Sequence, residues 1–460
     1  MKKWIILVFF LFGCKPDVNI LEEDIEVNGV VDITEYYINA SVDDNENSLS
    51  VDSVIRYYND HADFDELYIN VYPATNNELS FDISLFTING VETAFERTGS
   101  VIHVLLDETL YEGETIEIGI DYTFEYWVGE RLSNYNGDFV TMFFYPFVAY
   151  YDSEWHTDPY SFSGEAYYND MGNYYVNLQI PDKYELATGG KVVKEEDVKD
   201  GTIYSIELMN ARDYSFSISE DYKEYIDEIN GIDVKIMSLR SLSDDEVYSV
   251  FDITRKMIEY TEENIGDYPY DTLTLEFGHI YGMESASIVY CSSDISLITL
   301  VHELYHQWFY GIIGNNQANE PWLDEGLTSF ATGLFLNSHS EYDYLGYEYW
   351  YDTQHERYDG VREGYVGESV LRPVFEFDRD YGFLVYVYGH EVLNFYMMDS
   401  LDGDDELMLS ILKTYYDEFK FEESSVAEFI DLVEDESGVF GTEEWFYEYL
   451  EGYQELNPLG

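Results

Sequence analysis

The amino-acid sequence predicts an α+β protein with more than one domain, in which an N-terminal β-domain precedes a domain of mixed helices and strands. At 460 residues the chain is longer than a single hydrophobic core usually organises. Up to residue 222, short period-two segments are separated by turn dipeptides, and beyond it helical periodicity predominates. These patterns predict a β-domain at residues 28–222 and a second domain at residues 223–460.

The strands of the β-domain are predicted from alternating apolar and polar residues. Leu67–Val71 and Ile116–Ile120 place every second side chain on an apolar face, as a half-buried strand does. Turn signals at Asn89-Gly90, Asn136-Gly137 and Gly189-Gly190 separate such segments, because Asn and Gly tolerate the backbone conformations of tight turns. This alternation of strand-like segments and turn signals predicts a domain of short strands.

The helices of the second domain are predicted from capping signals and apolar stripes. Ser243 with Glu246, and Ser425 with Glu428, have the spacing of capping boxes and precede helical apolar stripes. Alternation over residues 273–277 predicts a strand between these helices. Further helical stretches are predicted at about residues 383–400, 405–418, 425–436 and 442–452.

The composition is strongly acidic. The chain has 94 Asp and Glu residues against 22 Lys and Arg, a formal net charge of −72. Such a surface repels nucleic acid and anionic lipid head groups, so neither is expected as a partner. The carboxylates are scattered, which favours a solvated surface over a binding tail. Adaptation to high salt and a genome-wide bias in composition both account for this charge, and the sequence leaves the choice open.

The N-terminus reads as an export signal. Lys2 and Lys3 precede the apolar stretch Trp4–Phe12, which is too short to span a membrane. The stretch ends at Cys14 in a sequence that resembles a bacterial lipobox, although Phe12 is bulky for that motif. We therefore predict a lipoprotein signal peptide at residues 1–14, lipidation of Cys14 and a polar tether at 15–27. An uncleaved anchor and an ordinary signal peptide remain as alternatives.

This signal predicts a protein held by lipid on the extracellular face of the cell membrane, with no other membrane contact. Once Cys14 is lipidated, Cys291 is the one cysteine left, so no internal disulfide is expected. Cys291 is interpreted as a packed residue because no histidine-partnered cysteine motif surrounds it.

The motif His302-Glu303-Leu304-Tyr305-His306 gives the clearest indication of a chemical function in this sequence. Two histidines four residues apart share one face of a helix, so their imidazoles can reach one point in space. With Glu325 from a second predicted helix they make a catalytic zinc ligand set, which leaves a fourth position for water. Zinc lowers the pKa of that water to about 7, and the adjacent Glu303 can accept its proton. The alternative is a coincidental pair of buried histidines.

These motifs resemble those of the aminopeptidase N family of gluzincin zinc metallopeptidases, particularly its short bacterial forms. The spacing from His306 to Glu325 is similar to the family pattern, and so is the Gly282-Met283-Glu284 element upstream. Downstream, the run from Tyr386 to Gly389 is similar to a family motif in which Lys stands where this chain has Tyr. The resemblance extends from about residue 30 to the end. It implies a β-sandwich or saddle domain followed by a thermolysin-like metallopeptidase domain.

The resemblance also implies residue roles. Zinc, one ion per chain, would be held by His302, His306 and Glu325, with Glu303 as general base. Tyr386 would donate a hydrogen bond to the tetrahedral oxyanion, with Tyr381 and Tyr388 as its nearest competitors.

Three further residues are assigned to substrate binding on the same basis. Glu284 would bind the free amine of a peptide substrate from an edge strand, and Gly282 and Met283 would line the cleft. An exposed strand glutamate is the alternative for Glu284. Asp324 is left open between a hydrogen bond to a ligating imidazole and a solvated acid at a helix start.

The function predicted from these features is a surface-tethered zinc aminopeptidase that acts on peptides. Two alternatives remain from the sequence: a zinc endopeptidase with an open cleft, and a surface-binding lipoprotein whose enzyme site is vestigial.

Overall fold

The computed structural model describes most of the chain between residues 33 and 451. The described residues are 33–76, 78–129, 131–162, 164–342, 371–376, 393, 396, 397, 400, 401 and 403–451. The signal peptide, the tether and Cys14 lie outside them, as do Tyr386 and most of the helix predicted at 383–400.

Strands account for the first part of the fold. In chain order they are β1 (Thr34–Asp43), β2 (Ser48–Tyr58), β3 (Phe64–Asn70), β4 (Phe81–Ile88), β5 (Val91–Glu92), β6 (Glu96–Thr98), β7 (Val101–Leu110), β8 (Thr115–Glu125), β9 (Leu132–Tyr135), β10 (Asp138–Met142), β11 (Phe147–Val148), β12 (Gly172–Ile180), β13 (Glu185–Thr188), β14 (Lys191–Val198), β15 (Gly201–Ala211) and β16 (Ser215–Ser219). The segments predicted at Leu67–Val71 and Ile116–Ile120 correspond to β3 and β8.

These strands form three sheets. The largest has the order β14-β15-β12-β1-β2-β8-β4-β5, and β1 pairs with β12 in parallel while its other pairs are antiparallel. Two four-stranded sheets have the orders β13-β16-β10-β9 and β11-β3-β7-β6. In β8 the alternate residues Ile116, Ile118 and Ile120 are buried, so the period-two pattern marks the face packed on the core.

The second part of the fold combines one five-stranded sheet with helices. Its strands are β17 (Lys223–Ile229), β18 (Ile232–Ser238), β19 (Thr272–Gly278), β20 (Gly282–Ser285) and β21 (Ile288–Ser292). Its helices are α1 (Asp244–Asn264), α2 (Leu297–Tyr305), α3 (Pro321–Ser338), α4 (Asp405–Phe419), α5 (Val426–Ser437) and α6 (Thr442–Glu451). The sheet order is β17-β18-β19-β21-β20, so β20 is the edge strand that the sequence predicted. Within the described residues, no helix combines the length and apolarity that crossing a membrane requires.

The predicted capping boxes are confirmed at two helix starts. Ser243 caps α1 and Ser425 caps α5, and each exchanges hydrogen bonds with a glutamate three residues later. The sequence from Gln307 to Tyr310 predicts that α2 continues to Gly311, but in the structure the helix ends at Tyr305. After Tyr305 the amides of Gln307 and Trp308 bond to carbonyls three residues back, which tightens the chain into turns.

The segment between β15 and β16 joins the β-domain to the second sheet. Both carboxylate oxygens of Asp213 are used: Oδ1 accepts from Ser285 Oγ at 2.9 Å and from the Ala286 amide at 2.6 Å, and Oδ2 accepts from Tyr310 Oη at 3.0 Å. Asp213 is fully buried. One carboxylate therefore positions both the end of β20 and the turn after α2.

Its neighbour Arg212 makes a second connection. The guanidinium is buried, and it donates to the carbonyls of Tyr310 at 2.8 Å and Asn169 at 2.9 Å. It also forms an ion pair with Glu423, which lies between α4 and α5. A buried arginine requires such a set of partners, since an unpaired charge there would be costly.

We expect Asp213→Asn to destabilise the fold by about 1–3 kcal/mol, because an amide cannot accept all three of these hydrogen bonds. Chemical denaturation of wild type and variant measures the change. The control is Asp271→Asn, which removes an exposed carboxylate that pairs with Lys191 at 3.1 Å. Equal unfolding free energies for wild type and Asp213→Asn would show that the carboxylate does not hold the two parts together.

A buried carboxylate in β19 predicts a pH effect on stability. Glu276 accepts a hydrogen bond from Tyr222, its Oε2 is buried without a partner among the described residues, and burial raises its pKa to about 8. Because the unfolded chain ionises near the ordinary value, stability falls as pH rises from about 4.5 to 8. Glu276→Gln removes this loss. We therefore expect its free energy of unfolding, relative to that of wild type, to rise by about 4 kcal/mol between pH 5 and pH 8.5.

Denaturation midpoints at the two pH values test this expectation. Glu224→Gln, on β17 of the same sheet and 45% exposed, is the matched control and should follow wild type. A difference between Glu276→Gln and wild type that stays constant with pH would contradict an ionisation penalty at this carboxylate.

Candidate metal centre

The centre is built on α2 and α3, which pack against each other. Ser296 caps α2, accepting a hydrogen bond from the Thr299 amide, and the helix runs without Gly or Pro to Tyr305. His306 is the C-cap and keeps a helical conformation, so it lies one turn beyond His302 on the same face. Helix α3 begins with Pro321, a residue suited to a first helical position, and Glu325 follows in its second turn.

Three donor atoms from these helices converge. His302 Nε2 and His306 Nε2 are 3.2 Å apart, and Glu325 Oε2 lies 3.2 Å from the first and 3.5 Å from the second. Tetrahedral ligands at zinc distances of about 2.1 Å are about 3.4 Å from one another. The spacing of these donors therefore fits a zinc ion.

The surroundings of the donors support the same conclusion. All three residues are buried, and Glu325 Oε2 has no hydrogen-bond partner among the described residues. A buried carboxylate oxygen without a donor is unfavourable unless a cation compensates its charge. His302, His306 and Glu325 therefore fit the metal that the sequence predicted for them.

Asp324 orients one of the imidazoles. Its Oδ1 lies 2.7 Å from His306 Nδ1, and both groups are buried. With a proton on Nδ1 donated to the carboxylate, Nε2 keeps its lone pair for a metal. This contact decides between the two roles that the sequence left open for Asp324.

Gln317 is a site residue that sequence reasoning missed. Its Nε2 donates to Asp324 Oδ2 at 2.7 Å and to Glu284 Oε1 at 3.1 Å. One amide thus links the carboxylate behind the imidazole to the glutamate on β20. A single Gln in the loop before α3 belongs to no recognisable motif, so no sequence signal distinguished it.

The electrostatics favour one positive charge at the rings but not two. Burial lowers the pKa of His302, and the neighbouring His306 lowers it further, although Glu325 opposes both. Burial also acts against protonation of His306, yet Asp324 and Glu284 raise its pKa well above the usual value. The carboxylates that raise the pKa of His306 would also stabilise a cation held between the two rings.

Glu303 points into the same space from α2. It is buried, and burial together with the charges of Glu325 and Glu165 raises its pKa to about 8. A Cβ atom added to Gly282 would lie only 2.4 Å from Glu303 Oε1. Gly282 is therefore the residue that lets the edge strand approach the Glu303 carboxylate closely.

Glu284 shares the face of β20 that Gly282 presents to Glu303, because side chains two apart in a strand point the same way. Donor atoms of Glu284, Glu303 and His306 lie within 4.8 Å of one another. Met283 alternates to the opposite face and is part of the hydrophobic core. If Met283 lines the cleft as predicted, it does so through its main chain, because its side chain is in the core.

The β-domain also supplies a charge pair that the sequence did not reveal. Arg131 Nη2 lies 2.8 Å from Glu165 Oε1, and both side chains are largely buried. Burial and the charges of Glu325 and Asp324 raise the pKa of Glu165, while Arg131 lowers it. Both residues therefore belong to the electrostatic environment of the centre. They lie about 140 residues or more before the ligand helices in the chain, so no local pattern connects them with it.

The structure brings together six of the predicted site residues: Gly282, Glu284, His302, Glu303, His306 and Glu325. The predicted oxyanion donor Tyr386 and its competitors lie outside the described residues. Cys291 is a buried thiol, and its pKa is raised first by burial and then by Glu303 and Glu276. It is a packed residue, as the sequence predicted.

Residues 250–446 match the family model described as the peptidase family M1 domain. A stretch of 209 residues, 42% of this chain, is 26% identical to leukotriene A-4 hydrolase of Xenopus laevis. The aligned stretch is 34% of that relative, so the match spans about a third of its length.

Solved structures match over most of the fold. A mutant of the M1 zinc metallopeptidase of Deinococcus radiodurans superposes with a TM-score of 0.71 at 15% identity, covering 92% of this chain and 95% of its own. A mutant of that enzyme bound to a Tyr-Ser-Ala substrate gives a TM-score of 0.68 at 16% identity, covering 92% and 94%. The fold is thus that of a two-domain M1 metallopeptidase, which confirms the predicted α+β architecture. Residues 250–446 are therefore similar to the catalytic domain of peptidase family M1.

Proposed function

We propose that the protein is a zinc-dependent aminopeptidase that removes N-terminal residues from peptides. The observation that carries the proposal is the arrangement of His302, His306 and Glu325 as three converging buried donors, with the carboxylates of Glu303 and Glu284 beside them. The family of the domain and the peptide bound to a structural relative support it. One zinc ion per chain is part of the proposal.

Zinc bound by these donors would polarise the scissile carbonyl and acidify the attacking water. His302, His306 and Glu325 hold it, and Asp324 keeps the His306 ring in the orientation that exposes Nε2. The other residues of the site transfer protons and position the substrate.

Glu303 is the proton carrier in this scheme. It lies beside the donor set, so its carboxylate can accept a proton from water at the metal once the charge of zinc favours the ionised form. It accepts a proton from the water that attacks the carbonyl carbon. As the carbon–nitrogen bond breaks, it returns that proton to the nitrogen of the leaving amine.

Glu284 limits the reaction to free N-termini. A carboxylate within 4.8 Å of donor atoms of Glu303 and His306 is well placed to bind the ammonium group of a first residue. The scissile bond one residue away then lies over the metal centre. Gln317 holds Oε1 of Glu284, which leaves its other oxygen for the substrate.

The oxyanion donor and the location of the protein are proposed from the sequence. Tyr386 would donate its hydroxyl hydrogen to the developing oxyanion. Lipidation at Cys14 would hold the enzyme on the extracellular face of the membrane, where peptides are its partners. The net charge of −72 makes nucleic acid an unfavourable partner.

The alternatives are less favoured. An endopeptidase would not use a carboxylate such as Glu284 at the end of the cleft, and a binding lipoprotein would not use a metal centre. A vestigial site has no reason to keep three ligands, a buried base and a hydrogen-bonded second carboxylate together.

We expect Glu303→Gln to lower kcat on an aminoacyl amide by about 10²- to 10⁴-fold, because an amide cannot accept the proton. Its zinc content should equal that of wild type, since Glu303 is not among the three proposed ligands. Glu259→Gln, exposed on α1, is the matched control and should keep full activity. A Glu303→Gln variant with near-normal kcat would rule out this base.

We expect Glu284→Gln to reduce kcat/KM for a peptide with a free amine by about 10- to 100-fold, because it removes a charge-assisted hydrogen bond to ammonium. The slower cleavage of the same peptide with an acetylated N-terminus should change little. The ratio of the two rates therefore measures the amine contact. Wild-type enzyme that cleaves both peptides equally well would favour the endopeptidase instead.

A further inference from the structure

A second cluster of metal-ligand side chains lies in the β-domain, apart from the centre on α2 and α3. Asp60 and His61 occupy the connection between β2 and β3, and Asp170 lies just before β12. His61 Nε2 is 3.1 Å from Asp170 Oδ2 and 3.3 Å from Asp60 Oδ1. All three donor atoms lie within 4.8 Å of one another.

The spacing of this cluster is close to that of the catalytic donors. The distances from His61 Nε2 to Asp170 Oδ2 (3.1 Å) and to Asp60 Oδ1 (3.3 Å) compare with 3.2, 3.2 and 3.5 Å among His302, His306 and Glu325. Both sets are near the separation of about 3.4 Å expected for tetrahedral ligands. The His61 side chain is 13% exposed and the Asp60 side chain 59%. The cluster is therefore largely buried at His61 and open to solvent at Asp60.

The charges around the cluster favour a cation. Burial raises the pKa of Asp60, and the nearby carboxylates of Asp170 and Glu422 raise it further, although His61 opposes them. The charge of Asp170 also raises the pKa of Glu423. Its ion pair with Arg212 uses one oxygen, and Oε2 is buried without a hydrogen-bond partner among the described residues. Together, the four carboxylates of this region carry more negative charge than His61 and Arg212 can neutralise.

A buried hydroxyl beside the cluster supplies an independent observation. Tyr57 is 1% exposed, and its hydroxyl has no hydrogen-bond partner among the described residues. Tyr57 lies near the end of β2, three residues before Asp60. Burial raises its pKa well above the usual value, and the charges of Asp170 and Asp60 raise it further. An unused donor there can hold a water molecule or carboxylate that completes the coordination of a cation.

We propose that His61, Asp60 and Asp170 form a second divalent-metal site, which takes a zinc-like transition metal through one imidazole nitrogen and two carboxylate oxygens. Imidazole suits zinc and its neighbours, whereas calcium and magnesium prefer all-oxygen sites. The open side of Asp60 leaves room for solvent as a further ligand. The site is structural, because it lies entirely in the β-domain and shares no residue with the centre on α2 and α3.

A metal here would connect two parts of the large sheet. It would tie the connection after β2 to the start of β12, next to Glu423 and Arg212, which already join the β-domain to the segment between α4 and α5. Binding to the folded state alone stabilises it by mass action. The site therefore predicts a stability that depends on metal even when the catalytic centre is disabled.

The test counts zinc ions. The full chain is stripped with a chelator, dialysed against buffered Zn²⁺ and analysed for metal. We expect about two equivalents for wild type, and about one for His61→Ala, Asp170→Asn or the His302→Ala/His306→Ala double variant. The single variants at His61 and Asp170 should keep peptidase activity, because they leave the first centre intact.

The matched control is His103→Ala. His103 Nε2 pairs with Glu66 at 2.7 Å in the same domain, but His103 belongs to no three-donor cluster among the described residues. This variant should keep two equivalents. One equivalent in wild type, or two in His61→Ala, would overturn the proposal and leave an ion pair between His61 and Asp170.

Anomalous diffraction at the zinc edge provides a second measurement that needs no variant. Wild-type crystals grown with Zn²⁺ should show one peak between His61 and Asp170 and another between His302 and Glu325. A peak between His302 and Glu325 alone would contradict the proposal even if the variants failed to fold. A peak between His61 and Asp170 alone would support the structural site and count against the zinc enzyme.

Discussion

The structure depends on burying negative charge around two imidazoles. Glu325, Asp324, Glu284 and Glu303 are each almost fully buried, and their pKa values respond to one another's charges. Such a concentration of carboxylates is unfavourable unless hydrogen bonds and a cation compensate it. The Gln317 amide supplies hydrogen bonds to two of these carboxylates. Arg131 contributes a positive charge through its pair with Glu165, and the three converging donors provide a place for a cation.

The two parts of the fold contribute to this arrangement together. Helices α2 and α3 carry the donors, but Asp213 of the β-domain holds both the strand that bears Glu284 and the turn that follows His306. Arg212 fixes the same turn through the Tyr310 carbonyl. The β-domain is therefore part of the active-site scaffold, because the positions of Glu284 and His306 rely on its side chains.

Long-range contacts account for what sequence reasoning missed. Capping boxes at Ser243 and Ser425 were predictable because both partners lie within one helical turn. The early end of α2 was not, since Gln307 and Tyr310 in the turns after Tyr305 hydrogen-bond to residues distant in sequence. Gln317, Arg131 and Glu165 escaped notice for the same reason: each acts on partners that folding alone brings near.

The sequence by itself determined the order of β and helical segments, the edge-strand position of Glu284 and the metal-ligand chemistry of His302, His306 and Glu325. The order of segments follows from periodicity and the pairing of His302 with His306 from spacing within a helix, which are local properties of the chain. Glu284 and Glu325 were identified by the resemblance of their motifs to a known family. The tertiary structure alone decided that Asp324 orients His306, that Gly282 makes room for Glu303, and that Met283 faces the core. Those outcomes depend on distances between elements, and such distances exist only once the sheet and the two helices have packed.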